Sequence, residues 1–260
     1  MSAKLKITAH GQGPELVLIH GWAMHSGIWR ETIEALKVEF RVNLVDLPGH
    51  GINHDVPLGE DLCATAHLLL AELPAAGWIG WSLGGLITMA AALSRPERIH
   101  KMVLVAATPS FIRRDEWPCG MEATVLQAFT TGLGVDLADT QRRFLALQTI
   151  GSDAAHATLQ RLRATAFGDH PPAKSALQDG LRLLHSSNLV SRLPDCNVPA
   201  LFLGGSEDKL VNSQALRLAA ASMPCAAVQI INGAGHAPFL AQPKMFVESL
   251  HGFLDKEKAA

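Results

Sequence analysis

Six short apolar runs, at residues 16–19, 42–45, 78–80, 102–106, 200–203 and 228–231, alternate along this chain with stretches of helical periodicity. Each run is rich in Val, Ile or Leu and is bounded by Gly, Pro, Asn or Asp. None shows the polar alternation of a strand with one wet face, so each needs a helix on both sides. Strands that alternate with helices build a parallel sheet, because parallel neighbours can be joined only by a crossover. The periodicity predicts those helices at 27–37, 61–73, 83–95, 213–223 and 245–254. Residues 4–9 do alternate polar with apolar and read as a half-exposed edge strand. The expected fold class is α/β, with a mainly parallel central sheet covered by helices on both faces.

Composition narrows the function. The 260 residues are 48% hydrophobic and 18% charged, enough to bury a core and too apolar for disorder. A formal net charge of -2 is too near neutral for a protein that lives on nucleic acid or anionic membrane. The apolar run at 83–93 is too short to cross a bilayer and reads as a buried helix. No basic segment precedes an apolar one at the start, so no signal peptide is expected. Cys63, Cys119, Cys196 and Cys225 lack metal-clip spacing and are expected as free thiols in the cytoplasm. No residue pattern asks for a metal or an organic cofactor, and a monomer is expected.

The strand rhythm stops between Phe111 and Ser187. Amphipathic helices are predicted there at 122–133, 140–150, 153–166 and 173–185, separated at 132–134, 151–153 and 168–172. Such an insertion reads as a helical cap over one end of the sheet. The expected division is a core of 1–110 and 187–260 with a cap of 111–186. The cap carries eight Lys or Arg against eight Asp or Glu, so any charged patch on it must be local.

Chemistry enters with Gly80-Trp81-Ser82-Leu83-Gly84, placed between a predicted strand and a predicted helix. Small residues at both ends allow a sharp turn that lifts the serine above the sheet. A serine hydroxyl is a weak nucleophile until a base takes its proton. His236, in Gly233-Ala234-Gly235-His236, follows the last predicted strand and so lies at the same sheet edge as Ser82. His251 competes, but it sits in an amphipathic helix where a solvated face is the plainer reading. An acid must then hold the imidazole in one tautomer. Asp208 follows the strand at 200–203, with Glu207 as its neighbour and a helix cap as its ordinary alternative role. The order serine, acid, histidine favours Asp208 as the acid. Donors for a developing oxyanion are expected from the N–H of Leu83 and from the N–H of Trp22 in His20-Gly21-Trp22-Ala23. His20 reads as a brace for that loop.

These residues, with Val45-Asp46-Leu47-Pro48-Gly49-His50-Gly51 and Arg95-Pro96-Glu97-Arg98, resemble the α/β-hydrolase superfamily along the whole chain. More narrowly, Gly80-Trp81-Ser82-Leu83-Gly84-Gly85-Leu86, Asp115-Glu116-Trp117-Pro118 and Arg143-Phe144-Leu145-Ala146-Leu147-Gln148-Thr149 resemble the family of pimeloyl-acyl-carrier-protein methyl ester esterases of biotin synthesis. The resemblance implies cleavage of the methyl ester at the far end of a carrier-bound pimeloyl chain, releasing methanol. It implies a substrate site formed by Trp22, Ser82, Leu83, Phe144, Leu145, Ala146, Leu147, Gln148 and His236. It also implies docking of an acidic acyl carrier protein on cap arginines. Arg143 matches a family position, whereas Asp139, His156 and Gln160 stand where relatives carry arginine. Arg142, Arg161 and Arg163 are the neighbouring replacements. Gly51-Ile52-Asn53 also departs from the family, which has a basic residue and serine there.

Other activities remain open on such a scaffold. An aspartate nucleophile is excluded by Ser82, and tyrosine-assisted epoxide opening is excluded because the chain has no tyrosine. A short-chain carboxylesterase, a carbon–carbon bond hydrolase or an enol-lactone hydrolase would use the same three residues. A catalytically silent ligand-binding module is the non-enzymatic alternative.

Overall fold

The computed structural model describes residues 4–167 and 171–255. In chain order its strands and helices are β1 (Ile7–His10), β2 (Glu15–Ile19), α1 (Arg30–Leu36), β3 (Arg41–Val45), α2 (Leu62–Glu72), β4 (Ala76–Trp81), α3 (Leu83–Ser94) and β5 (Ile99–Val105). Then come α4 (Ala123–Val135), α5 (Leu137–Leu147), α6 (Ala155–Ala166) and α7 (Lys174–Ser186). The chain closes with β6 (Ala200–Gly205), α8 (Ser213–Ala221), β7 (Ala226–Ile231), α9 (Pro238–Ala241) and α10 (Pro243–Leu254).

The strands form one sheet of order β1-β3-β2-β4-β5-β6-β7. Among the described residues only β1 runs antiparallel, pairing Ile7 with Val45 and His10 with Val42 at the sheet edge. The alternating segment predicted at 4–9 is therefore an edge strand, placed slightly later. Along each central strand, successive side chains enter opposite cores. Val17, Ile19, Trp78, Met102, Leu104 and Phe202 belong to one, and Leu16, Leu18, Ile79, Val103, Val105 and Leu203 to the other. That partition is the physical content of strands hydrophobic at every position. Helices α2, α3 and α8 contribute to the first core, and α1 and α10 to the second.

From β2 the chain moves outward to β3 and then returns past β2 to β4. The carboxyl ends of β2 and β4 thus flank the point where the winding direction reverses, where an open parallel sheet leaves a crevice. Ile19 and Gly80 are paired there. His20-Gly21-Trp22 leaves one strand at this point and Ser82 leaves the other.

Helices α4 to α7 all fall between β5 and β6, within the region read as an insertion. Their frames differ from expectation, and capping explains why. Helix α5 starts three residues before the predicted 140–150 because the Asp136 side chain accepts the Asp139 N–H at 2.8 Å. It stops at Leu147, and the turn after it contains Gly151 at φ 84°. Helix α6 begins at Ala155 because the Asp153 N–H is directed to the Gly233 carbonyl at 2.9 Å. The helix predicted at 27–37 is two pieces, a tight 3₁₀ turn over Ser26–Trp29 and then α1. The separator expected at 168–172 lies partly outside the described residues.

All four cysteines are unbridged. Among the described residues, no helix is long and apolar enough to cross a membrane.

Candidate active site

Ser82 sits between β4 and α3 at φ 54° and ψ -114°, a left-handed backbone for a residue with a side chain. Its N–H donates to the Val105 carbonyl at 2.9 Å, so the neighbouring strand holds the turn in place. Gly84 completes the local demand. A Cβ there would stand 2.6 Å from the carbonyl oxygens of Ile19 and His20, and without one α3 presses directly onto the end of β2.

The Ser82 hydroxyl lies 2.9 Å from Nε2 of His236, and Nδ1 of His236 lies 2.8 Å from Oδ2 of Asp208. All three side chains are buried. The other Asp208 oxygen accepts the N–H groups of Leu210 at 2.8 Å and Val211 at 3.0 Å. With that carboxylate ionised, Nδ1 carries the proton and donates it to Asp208, which leaves the Nε2 lone pair for the Ser82 proton. The capping alternative for Asp208 does not describe this geometry, because Asn212 caps α8. Glu207 turns instead to Lys209, and His251 pairs at the surface with Asp255 and Glu39.

The loop after β2 closes as a turn in which Met24 N–H donates to the Gly21 carbonyl and Ala23 takes φ 63°. His20 fixes it from below. Its Nε2 accepts the Leu47 N–H at 2.9 Å, so Nδ1 carries the hydrogen donated to the Gly21 carbonyl at 2.8 Å. A trans peptide points its N–H opposite its carbonyl, so anchoring the Gly21 oxygen also aims the Trp22 N–H. Leu83 is the first residue of α3, where the N–H has no partner within the helix and the dipole favours negative charge.

Burial holds both histidines beneath this loop neutral, lowering His20 to about 3 and His50 to about 4. Burial also raises Asp46, but the His20 ring and the N–H groups of Ser26 and Ile52 outweigh it and keep this carboxyl below its ordinary value. Asp46 and His50 were visible in the sequence only as part of a resemblance. Asn53, a departure from that pattern, bonds the Lys6 backbone in both directions and the Asp46 carbonyl, tying the first strand to this loop.

Helices α4 and α5 supply an aromatic wall. Phe144 meets Trp22 edge-on at 4.6 Å and Phe129 edge-on at 5.2 Å. Leu147 packs against the same core, while Ala146 is half-buried. The Gln148 carbonyl accepts the His236 N–H at 3.0 Å, and the amide oxygen of Gln148 is buried without a partner among the described residues. Leu145 faces another way. One residue turns an α-helix by about 100°, so Leu145 leaves the Phe144 face and joins the opposite core with Leu162 and Ala166.

The four arginines differ in what they touch. Arg161 forms an ion pair with Glu31 at 3.2 Å and donates to the Leu240 carbonyl at 3.1 Å, latching α6 to α1 and α9. Arg142 lies 3.6 Å from Asp139. Arg143 and Arg163 are exposed, with no ion pair among the described residues. His156 and Gln160 bond one another at 3.0 Å on α6.

Residues 16–249 match the model of a family described as "Alpha/beta hydrolase family". A protein of Xanthomonas campestris pv. campestris (strain B100), named pimeloyl-[acyl-carrier protein] methyl ester esterase, is 42% identical over 250 residues, covering 96% of this chain and 98% of that protein. A protein of the same name from Nitrosomonas europaea is 40% identical over 246 residues, covering 94% of this chain and 97% of its own length. In structure, an esterase from Exiguobacterium antarcticum superposes with a TM-score of 0.87 at 20% identity, over 96% of this chain and 95% of the other.

Proposed function

The chain belongs to the alpha/beta hydrolase family, and we propose that it is a serine carboxylesterase cleaving pimeloyl-acyl-carrier-protein methyl ester to pimeloyl-acyl-carrier protein and methanol, in biotin synthesis. The observation that carries the chemistry is the buried chain of hydrogen bonds from Ser82 through His236 to Asp208. The substrate rests on relatives of that name at 40–42% identity across nearly the whole chain.

In the first step His236 Nε2 takes the Ser82 proton as the serine oxygen attacks the ester carbonyl. The tetrahedral oxyanion faces the N–H groups of Trp22 and Leu83. His236, now an imidazolium held by Asp208, returns the proton to the departing methoxide oxygen, and methanol leaves. Water then repeats the sequence on the acyl-enzyme. His236 takes a proton from it, hydroxide adds to the carbonyl, and Ser82 is regenerated as the free acid departs.

The core of 1–110 and 187–260 supplies this machinery in our reading, and the cap of 111–186 forms the acyl pocket around Trp22 and Phe144. Arg143 and Arg163 offer charge to an acidic carrier protein. Four unbridged thiols suit a cytoplasmic location.

The test is methanol release from pimeloyl-carrier methyl ester by the purified protein. Ser82→Ala is expected to lose at least about 10,000-fold in kcat, with its melting temperature unchanged. A Ser82→Ala protein that turns over normally refutes the mechanism. A wild type that cleaves short aryl esters but not the carrier substrate refutes the substrate assignment.

A further inference from the structure

Core backbone groups hold Ser82 and Asp208, and the other two parts of the machinery are also held by the cap. The Trp22 indole N–H donates to the Leu177 carbonyl in α7 at 2.8 Å. Gly180, one helical turn on, makes that contact close, since a Cβ there would stand 2.6 Å from the Trp22 ring and 3.3 Å from the Leu83 side chain. On the other side of the site, the turn 148–153 carries the histidine loop. The Gln148 carbonyl accepts the His236 N–H at 3.0 Å, and the Gly233 carbonyl accepts both the Asp153 N–H at 2.9 Å and the Ser152 hydroxyl at 3.1 Å.

The glycines of Gly233-Ala234-Gly235-His236 acquire a reason from this arrangement. A Cβ at Gly235 would lie 2.6 Å from the Gln148 carbonyl, and one at Gly233 would collide with the Asp153 carboxylate. The loop is cut to receive the cap turn. Besides the bonds of the ring to Ser82 and Asp208, the core holds this loop through the Trp81 indole N–H to the His236 carbonyl at 2.8 Å, the Glu207 N–H to the Ala234 carbonyl at 2.9 Å and the Gly233 N–H to the Ser206 hydroxyl at 3.0 Å. The imidazole is thus set by a loop clamped between these core contacts and the cap turn.

We propose that the cap is a positioning element for the reaction as well as a cover for the substrate. Through α7 it sets Trp22 and its oxyanion-facing N–H, and through the Gln148–Asp153 turn it sets His236. Ser152 and Gly180 are the positioning residues that carry these two contacts. This rests on the assignment of Ser82, His236 and Asp208 proposed above. It also follows that displacement of α5 or α7 reaches the reacting groups directly, because α5 runs into the turn that holds His236.

The experiment uses the full chain and 4-nitrophenyl acetate, whose two-carbon acyl group does not need the pocket at Phe144. Loss of one positioning hydrogen bond is expected to lower kcat about three- to tenfold in Ser152→Ala, with KM within about twofold. Gly180→Ala is expected to do the same by shifting the indole. Because the two contacts are separate, the double variant should multiply the losses. Ser152→Thr, which keeps the hydroxyl, should restore kcat. The proton between His236 Nδ1 and Asp208 should shift in the nuclear magnetic resonance spectrum of Ser152→Ala and stay in place in Gly180→Ala. Wild-type kcat in Ser152→Ala, even with a lowered melting temperature, overturns the proposal by making the contact merely structural. So does a Ser152→Thr protein as slow as Ser152→Ala. Ser82→Ala is the control in the same assay: if it stays active, the assignment of the site itself is wrong.

Discussion

Helices α3 and α4 are nearly equal in length, at 12 and 13 residues, and they are built for opposite purposes. Ten residues of α3, from Leu83 to Ala92, are buried, so close packing on all sides fixes its first turn and with it Ser82. Helix α4 buries only Leu126 and Leu133. Its outer face forms a shallow, open depression that Arg143 also lines. The apolar residues of α3 give rigidity at Ser82, the proposed nucleophile. Helix α4 keeps a thinner inner layer and leaves its other face exposed, as the proposed cap requires. Changes in the core should therefore abolish chemistry or folding, whereas changes in the cap should alter which substrate is used and how well.

Asp208→Asn should give the largest effect that separates the two. The side chain keeps its shape, but an amide can donate to Nδ1 and favour the imidazole tautomer that cannot accept the serine proton. A fall of about 10,000-fold in kcat on every ester is expected, with a near-native melting curve. A loss confined to the carrier substrate would break the comparison, because it would make Asp208 part of recognition.

Paired cavities provide the next separation. Phe202→Ala empties the centre of the core and should cost about 3–5 kcal/mol of stability, measured by denaturant unfolding, while the folded fraction keeps its kcat. Phe144→Ala removes the edge-on contacts to Trp22 and Phe129 and should raise KM for the pimeloyl ester about tenfold. For an acetyl ester, KM should stay within about twofold. Equal effects on both acyl lengths would mean that Phe144 supports the cap without lining the pocket.

Acid should weaken the core through His20 and His50. Both rings are neutral when folded, down to about 3 and about 4, while in the unfolded chain each takes a proton near its ordinary value. Between that ordinary value and the lowered one, the unfolded state binds more protons, so stability falls as pH falls. The slope is on the order of 1.4 kcal/mol per pH unit for each histidine, beginning just below pH 6.5. Unfolding midpoints at pH 7, 6 and 5 measure it, and His50→Gln should remove about half of the dependence. An unchanged slope in that variant would assign the acid sensitivity elsewhere.

What the sequence made legible follows the same division. The sheet was readable because each central strand is apolar throughout and bounded by turn residues, and the meeting of Ser82, Asp208 and His236 was readable because each follows a strand at one edge. Both signals are local. The frame of α5 was not, since the apolar period points to 140 while Asp136 starts the helix earlier through its own side chain. A contiguous motif also takes no account of the helical turn that sends Leu145 to a different core from Phe144. The clamps on His236 join residues far apart in the chain, as do the bonds of His20 to Leu47 and of Trp22 to Leu177. Their one trace in the sequence is the glycine pair at 233 and 235, a sign of close backbone approach with no indication of what approaches.

The smallest expected effect is the one that tests the outer face of the cap. Arg142 stands near Asp139, and Arg161 is committed to Glu31 and the Leu240 carbonyl. Arg143 is exposed beside the shallow α4 depression with no ion pair among the described residues, so its charge is available to a partner. Arg143→Glu turns an attraction for an acidic carrier into a repulsion and should raise KM for the carrier-bound ester about three- to tenfold. A free short ester never meets this face, and its kinetics should not change. Exposed charges act over about 8 Å at physiological ionic strength and about 3 Å at 1 M, so the effect should fade as salt is raised. Arg161→Ala is the informative companion, because it cuts the latch between α6 and the core and should lower stability without the same salt signature. If Arg143→Glu slows both esters alike, the arginine is bracing the Phe144 wall from outside. If it slows neither, the carrier is held by another face, and the division between a catalytic core and a recognising cap loses its electrostatic half.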